Sequence, residues 1–140
     1  MRRWGNSPRF QVSGPRFEVN KHSWFSYQNG GMSVSETLLR VVSLVDKGDV
    51  RISDHGYDEL SAKNIFVSDL LDGAKDALVV EDYPKYGKGP CVLVLQRDRS
   101  ANPLHVVWGI PKGKEGPAVL VTAYRPDPTQ WSQDFLRRRR

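Results

Sequence analysis

The chain has 140 residues, 39% of them hydrophobic and 26% charged, with a formal net charge of +5. That length suits one domain, and the composition excludes a disordered or collagen-like chain. The longest clean apolar runs, such as Cys91 to Leu95, fall far short of the about 20 residues a membrane-spanning helix needs.

No secretory apolar core opens the chain, and the single cysteine, Cys91, excludes an internal disulfide. A reduced, cytoplasmic setting with no membrane partner is expected. The positive charge sits at the ends. Residues 1–31 carry Arg2, Arg3, Arg9, Arg16 and Lys21 against Glu18, and residues 137–140 are four arginines. Residues 32–136 hold 12 Lys+Arg against 15 Asp+Glu, so a phosphate-binding surface there needs a local basic patch.

Residues 1–31 hold six of the fourteen aromatics, among them Trp4, Trp24 and Phe25, without any helical or strand period. They read as a disordered basic and aromatic extension ending at Gly30-Gly31, or as an arm that docks on a partner. His22 lies within it. A single α+β domain is expected over residues 32–127, followed by a basic C-terminal tail, residues 128–140, in which Trp131 and Phe135 are potential anchors.

Val34, Leu38, Val41, Val42 and Val45 recur at steps of three and four, which predicts a helix capped by Ser33 or Ser35 and stopped by Gly48. A second helix is predicted from Ser53 or Asp54 to about Lys63. A third, short one is predicted to be capped at Ser68-Asp69 and to end at Gly73. After Lys75 the period changes to two. Strands are predicted over Ala77–Tyr83, Cys91–Arg97, Leu104–Ile110 and Ala118–Tyr124, joined by a loop over residues 84–90 and two short turns. The expected fold is α+β, three short helices packed on one face of a four-stranded antiparallel β-meander.

Alternation along the third of these strands sends Leu104, Val106, Trp108 and Ile110 toward the helices and His105 and Val107 to the opposite face. For the flanking strands, Cys91, Leu93, Leu95, Val119, Val121 and Ala123 are expected to face the helices. Val92, Val94, Gln96, Leu120, Thr122 and Tyr124 are expected beside His105. A slip of one residue reverses each of these assignments.

His105 is the leading candidate for a general acid or base, because an imidazole titrates near neutral pH. The alternative is a sheet-face histidine bonded to Thr122 or Tyr124. His55 opens the second helix and is either a catalytic partner or a ring packed between helix and sheet. Lys85 and Lys88 on the 84–90 loop suit phosphates and Tyr86 suits a stacked base, unless the loop is merely solvated. Tyr124 and Arg125 can flank a phosphate, although Arg125 can equally pair with Asp82 or Glu59. No metal-ligand spacing and no cofactor fingerprint is present.

Six segments occur in order: Ser53-Asp54-His55-Gly56, Glu59 with Lys63-Asn64-Ile65, Asp69-Leu70-Leu71, Val79-Val80-Glu81-Asp82-Tyr83-Pro84, Pro103-Leu104-His105-Val106-Val107 and Val121-Thr122-Ala123-Tyr124-Arg125-Pro126. Together they resemble a small bacterial family classed as a domain of unknown function, the 4258 type, over roughly residues 35–127. The resemblance implies a compact α+β domain similar to RelE- and BrnT-type toxins of toxin–antitoxin pairs. It also implies an RNA substrate and a small antitoxin protein as partner. His55, His105 and Tyr124 match the family's histidines and late tyrosine. The sequence departs from the pattern in its second helix, where Asp58-Glu59 and Lys63-Asn64 stand in place of arginines and an Arg-Gly pair.

The leading expectation from the resemblance is a toxin-like, metal-independent ribonuclease. His105 would be its acid/base, Tyr124 a proton donor or orienter, and His55 a supporting group. Arg125, Lys85, Tyr86, Lys88 and Gln96 would contact substrate. The alternative is a non-catalytic binding module whose sheet face holds a protein or peptide. A further reading has only the basic tails touching nucleic acid.

Overall fold

The computed structural model describes residues 35–139, so the expected extension, His22 and the first residues of the predicted helix lie outside the described residues. Helix α1 runs over Glu36–Asp46, with the Ser35 hydroxyl accepting from the Leu38 amide at 3.0 Å. Its stripe buries Leu38, Val41 and Leu44. Helix α2, Asp54–Ala62, is capped by Ser53, which accepts from the Gly56 amide at 2.9 Å. Both caps satisfy an amide that the first turn leaves without a backbone partner.

Helix α3, Val67–Gly73, starts before the expected cap. Phe66 precedes it without a side-chain cap, and Ser68-Asp69 lie inside its first turn. Asp69 instead accepts from Arg99, at 2.9 Å from Nε and 3.3 Å from the backbone amide. A single 3-10 turn, Ala74–Asp76, leads into the sheet.

The sheet has five strands rather than four and is mixed rather than antiparallel. Strand β1, Val50–Arg51, pairs in parallel with β5, Ala118–Tyr124, through Val50 opposite Ala118. Strands β2, Leu78–Tyr83, β3, Cys91–Arg97, and β4, Pro103–Gly109, complete the order β1-β5-β4-β3-β2. β2 to β5 form the expected meander, and β1 is an edge strand too short to carry a period.

One core lies between helices and sheet, built on Val41, Ile52, Leu70, Val106, Trp108 and Ile110. Val92 and Val94 belong to it, whereas Leu93 and Leu95 point the other way. The expected phase of β3 is therefore reversed. Its apolar run is buried on both faces, so hydrophobicity alone carries no phase. In β5 a bulge sets Thr122 opposite Val107 but Leu120 opposite Trp108. Leu120 joins the helix-side core and Val121 the opposite side, while Thr122 and Tyr124 keep the expected face.

Gln96 is also corrected. It lies on the helix side, where its amide accepts from Trp108 Nε1 at 2.9 Å and donates to the Leu70 carbonyl at 2.9 Å. It is 2% exposed and links sheet to helix rather than meeting substrate.

Gly89 closes the loop between β2 and β3 with φ +126°. A β-carbon there would collide with the Ile110 carbonyl and lie 2.6 Å from the Lys112 amide. Gly89→Ala is expected to cost at least ~2 kcal/mol, because it adds backbone strain to a steric clash. Thermal unfolding should fall by about 10 °C; an unchanged midpoint would contradict this packing.

Candidate functional site

Strand alternation places His105 on the sheet face away from the helices, as expected, but that face is not open. After Tyr124 the chain turns back, and residues 128–139 lie across the sheet as a strap. An antiparallel bridge between Trp131 and Arg138 closes the strap on itself, with the Ser132 amide donating to the Arg137 carbonyl at 2.7 Å. Trp131, Phe135 and Leu136 pack on Val80, Leu93, Leu95 and Val107 to form a second core. The segment expected as a tail is therefore part of the packed fold, anchored at the two aromatics named for that role. Its arginines are engaged as well: Arg139 Nε donates to the Pro128 carbonyl at 3.0 Å, and Arg138 binds the sheet.

His105 is 0% exposed. Its Nδ1 lies 3.2 Å from the Tyr124 hydroxyl and its Nε2 2.8 Å from the Phe135 carbonyl oxygen. The carbonyl can only accept, so Nε2 carries the proton and Nδ1 accepts from the phenol. The ring is neutral. Trp131 meets it edge to face, with centroids 4.4 Å apart. Burial pushes the imidazole pKa down to about 4; the Phe135 carbonyl opposes this and the Arg138 charge adds to it. Burial also pushes the Tyr124 phenol up to about 12.

Beside this pair, Glu81 is 3% exposed. Its carboxylate accepts from Arg138 Nε at 2.9 Å and Nη2 at 3.2 Å, and from the Tyr83 hydroxyl at 2.9 Å. The Arg138 guanidinium also lies 4.7 Å over the Trp131 ring. Burial, reinforced by the Glu81 charge, drives the Tyr83 phenol far above its ordinary range. The result is a cluster in which His105, Tyr124, Tyr83, Glu81 and Arg138 are each hydrogen-bonded within the protein, the Arg138 side chain being 43% exposed.

Of the residues singled out for chemistry, only His105 and Tyr124 meet. His55 projects from α2 on the opposite side of the sheet, 84% exposed, with Glu59 at 3.4 Å. It neither supports His105 nor packs between helix and sheet. Arg125 pairs with Asp98 at 3.1 Å and the Asn64 carbonyl at 3.2 Å, rather than with Asp82 or Glu59, and so is tied to the end of the fold.

Lys85 and Lys88 are exposed and Tyr86 half-buried, on a loop at the Gly109 end of the sheet. Four residue steps along β4 separate Gly109 at that end from His105, roughly 13 Å at about 3.3 Å per step. The basic patch needed at the imidazole is therefore not assembled from these groups. Glu81 and Tyr83 stand in one of the family-like segments, but neither they nor Arg138 were singled out for a role at His105. The signal for Glu81 was an acid inside a strand, and an arginine run carries no positional signal at all.

Among the described residues, no group of three or more His, Cys, Asp or Glu could hold a metal ion, and no helix is long and apolar enough to cross a membrane. The Cys91 thiol is buried and pushed up to about 12, by burial first and the Asp82 charge second, which makes it unreactive.

The depressed His105 pKa sets a pH dependence of folding. The unfolded ring takes up a proton near pH 6.5 and the folded one only near 4, so stability is full above 6.5 and declines as pH falls toward 4. Between pH 7 and 4.5 the loss from this ring is about 2 kcal/mol. His105→Gln, less stable at neutral pH, is expected to lack that increment in chemical-denaturation curves. A variant with the parent's full pH slope would place the titration elsewhere.

Residues 52–125 match the family described as a domain of unknown function (DUF4258), a span that includes His55, His105, Tyr124 and Arg125 and ends before the strap. No curated protein and no solved structure matches the chain. On a match covering more than half its length, the chain belongs to the DUF4258 family.

Proposed function

We propose that this domain is a non-catalytic protein-binding module and that the sheet face around His105 is its peptide-holding surface. The observation that carries the reading is the strap: a short segment fills this face, with a carbonyl on His105, a guanidinium on Glu81 and aromatics on an apolar floor. Buried polar groups are tolerated where a partner meets each of them.

RNA cleavage asks for different geometry. It needs a base, an acid and a cation converging on an accessible phosphate. Here the imidazole is sealed and neutral, the phenol is bonded to it, and Arg125 is held by Asp98. The toxin-like ribonuclease, with its antitoxin partner, is the second reading. It rests on the 3.2 Å contact between His105 and Tyr124 and on the strap leaving the face.

Expression of the chain alone separates the two. The module reading predicts normal growth and intact RNA, for the parent and for His105→Ala alike. Growth arrest with RNA fragmentation that disappears in His105→Ala would overturn it in favour of the ribonuclease.

A further inference from the structure

The strap's contacts specify what any other occupant of the face must bring. Glu81 is 3% exposed, and both of its carboxylate oxygens bond Arg138. A carboxylate buried this deeply is strongly destabilising without its cation. The paired geometry fits a planar guanidinium better than an ammonium. The second requirement is main chain, because His105 Nε2 donates to a backbone carbonyl at 2.8 Å. The third is an apolar and aromatic surface to lie on Leu93, Leu95, Val107 and the imidazole ring.

The strap meets these demands at a conformational cost. Phe135, whose carbonyl caps His105, has φ +62°, a left-handed conformation that is strained for an aromatic residue. The Trp131–Arg138 bridge folds the segment back on itself, so its carbonyl and its guanidinium reach their partners through a strained turn. A segment arriving from another chain need not adopt that turn.

Resting on the module reading, we propose that the strap is a displaceable occupant. The partner is then a peptide segment of another protein, bearing an aromatic residue and, a few residues later, an arginine that takes over Glu81. Glu81 is the specificity-determining residue, and Arg138 is the group that holds the face closed.

The test uses a dye-labelled synthetic peptide with the sequence of residues 129–139, titrated into the full chain and followed by anisotropy. In the parent, the strap competes and binding is weak. Arg138→Ala is expected to bind the peptide at least about tenfold tighter, ~1.4 kcal/mol. That gain should vanish when Glu81→Gln is added or when the peptide carries Arg138→Glu.

Circular dichroism checks that each variant is folded. If Arg138→Ala does not fold, Trp131→Ala loosens the strap without removing the cation, and the same gain is expected. A folded, strap-loosened chain that binds the peptide no tighter than the parent overturns the proposal. So does a gain that survives Glu81→Gln, or salt-sensitive binding of an RNA oligonucleotide in place of the peptide. Failure here leaves growth and RNA intact in the expression experiment, whereas failure of the module reading shows there as His105-dependent RNA cleavage.

Discussion

The imidazole of His105 has no solvent-exposed surface, and both its nitrogens are bonded inside the protein, one to a phenol and one to a backbone carbonyl. That constraint organises one side of the molecule. A neutral ring in an apolar setting needs a donor and an acceptor at fixed positions. The sheet supplies the donor, Tyr124, from the neighbouring strand. The acceptor comes from thirty residues further along the chain, at Phe135. The strap is therefore required by the polar chemistry of the sheet as well as by its apolar floor, and the sheet is covered on both faces.

Glu81 and Arg138 add the second constraint. Only the carboxylate is buried, the Arg138 side chain being 43% exposed; desolvation of Glu81 offsets much of the attraction, yet losing the cation is costly. Such a pair favours one registered arrangement over near alternatives. Here it fixes the end of the strap, orients Tyr83, and places the guanidinium over Trp131. The same features make the face selective. An occupant without a cation leaves Glu81 bare, and one without aromatic surface leaves the imidazole ring and Val107 wet.

Helices α1 and α2 were legible in the residues because α1 carries a clean stripe and Ser35 and Ser53 are efficient caps, whereas α3 begins at Val67 without the cap expected at Ser68-Asp69. The four meander strands were legible from alternation and turn chemistry. Strand β1 was not, since two residues carry no period, and its pairing with β5 depends on tertiary context. The phase of β3 was unreadable because a strand buried on both faces has no polar side. The β5 bulge then moved Leu120 and Val121 to faces opposite those expected.

Alternation was enough to bring His105 and Tyr124 together. It could not show that the strap covers them, because that segment has neither helical nor strand period, and its affinity for the sheet resides in Trp131, Phe135 and Arg138 taken together. The lysines, Arg125 and His55 were chosen for their chemistry, and the fold distributes them to a loop, a strand end and the far side of the sheet.

The central claim is that the strap seals a neutral His105 in the folded chain. Nitrogen-15 chemical shifts of the imidazole, followed with pH, test it most directly. The account predicts one neutral ring protonated at Nε2, a slowly exchanging Nε2 proton, and no titration until pH approaches about 4. A ring that titrates near its ordinary value of about 6.5, with a rapidly exchanging proton, would show that the face is open and would contradict the account.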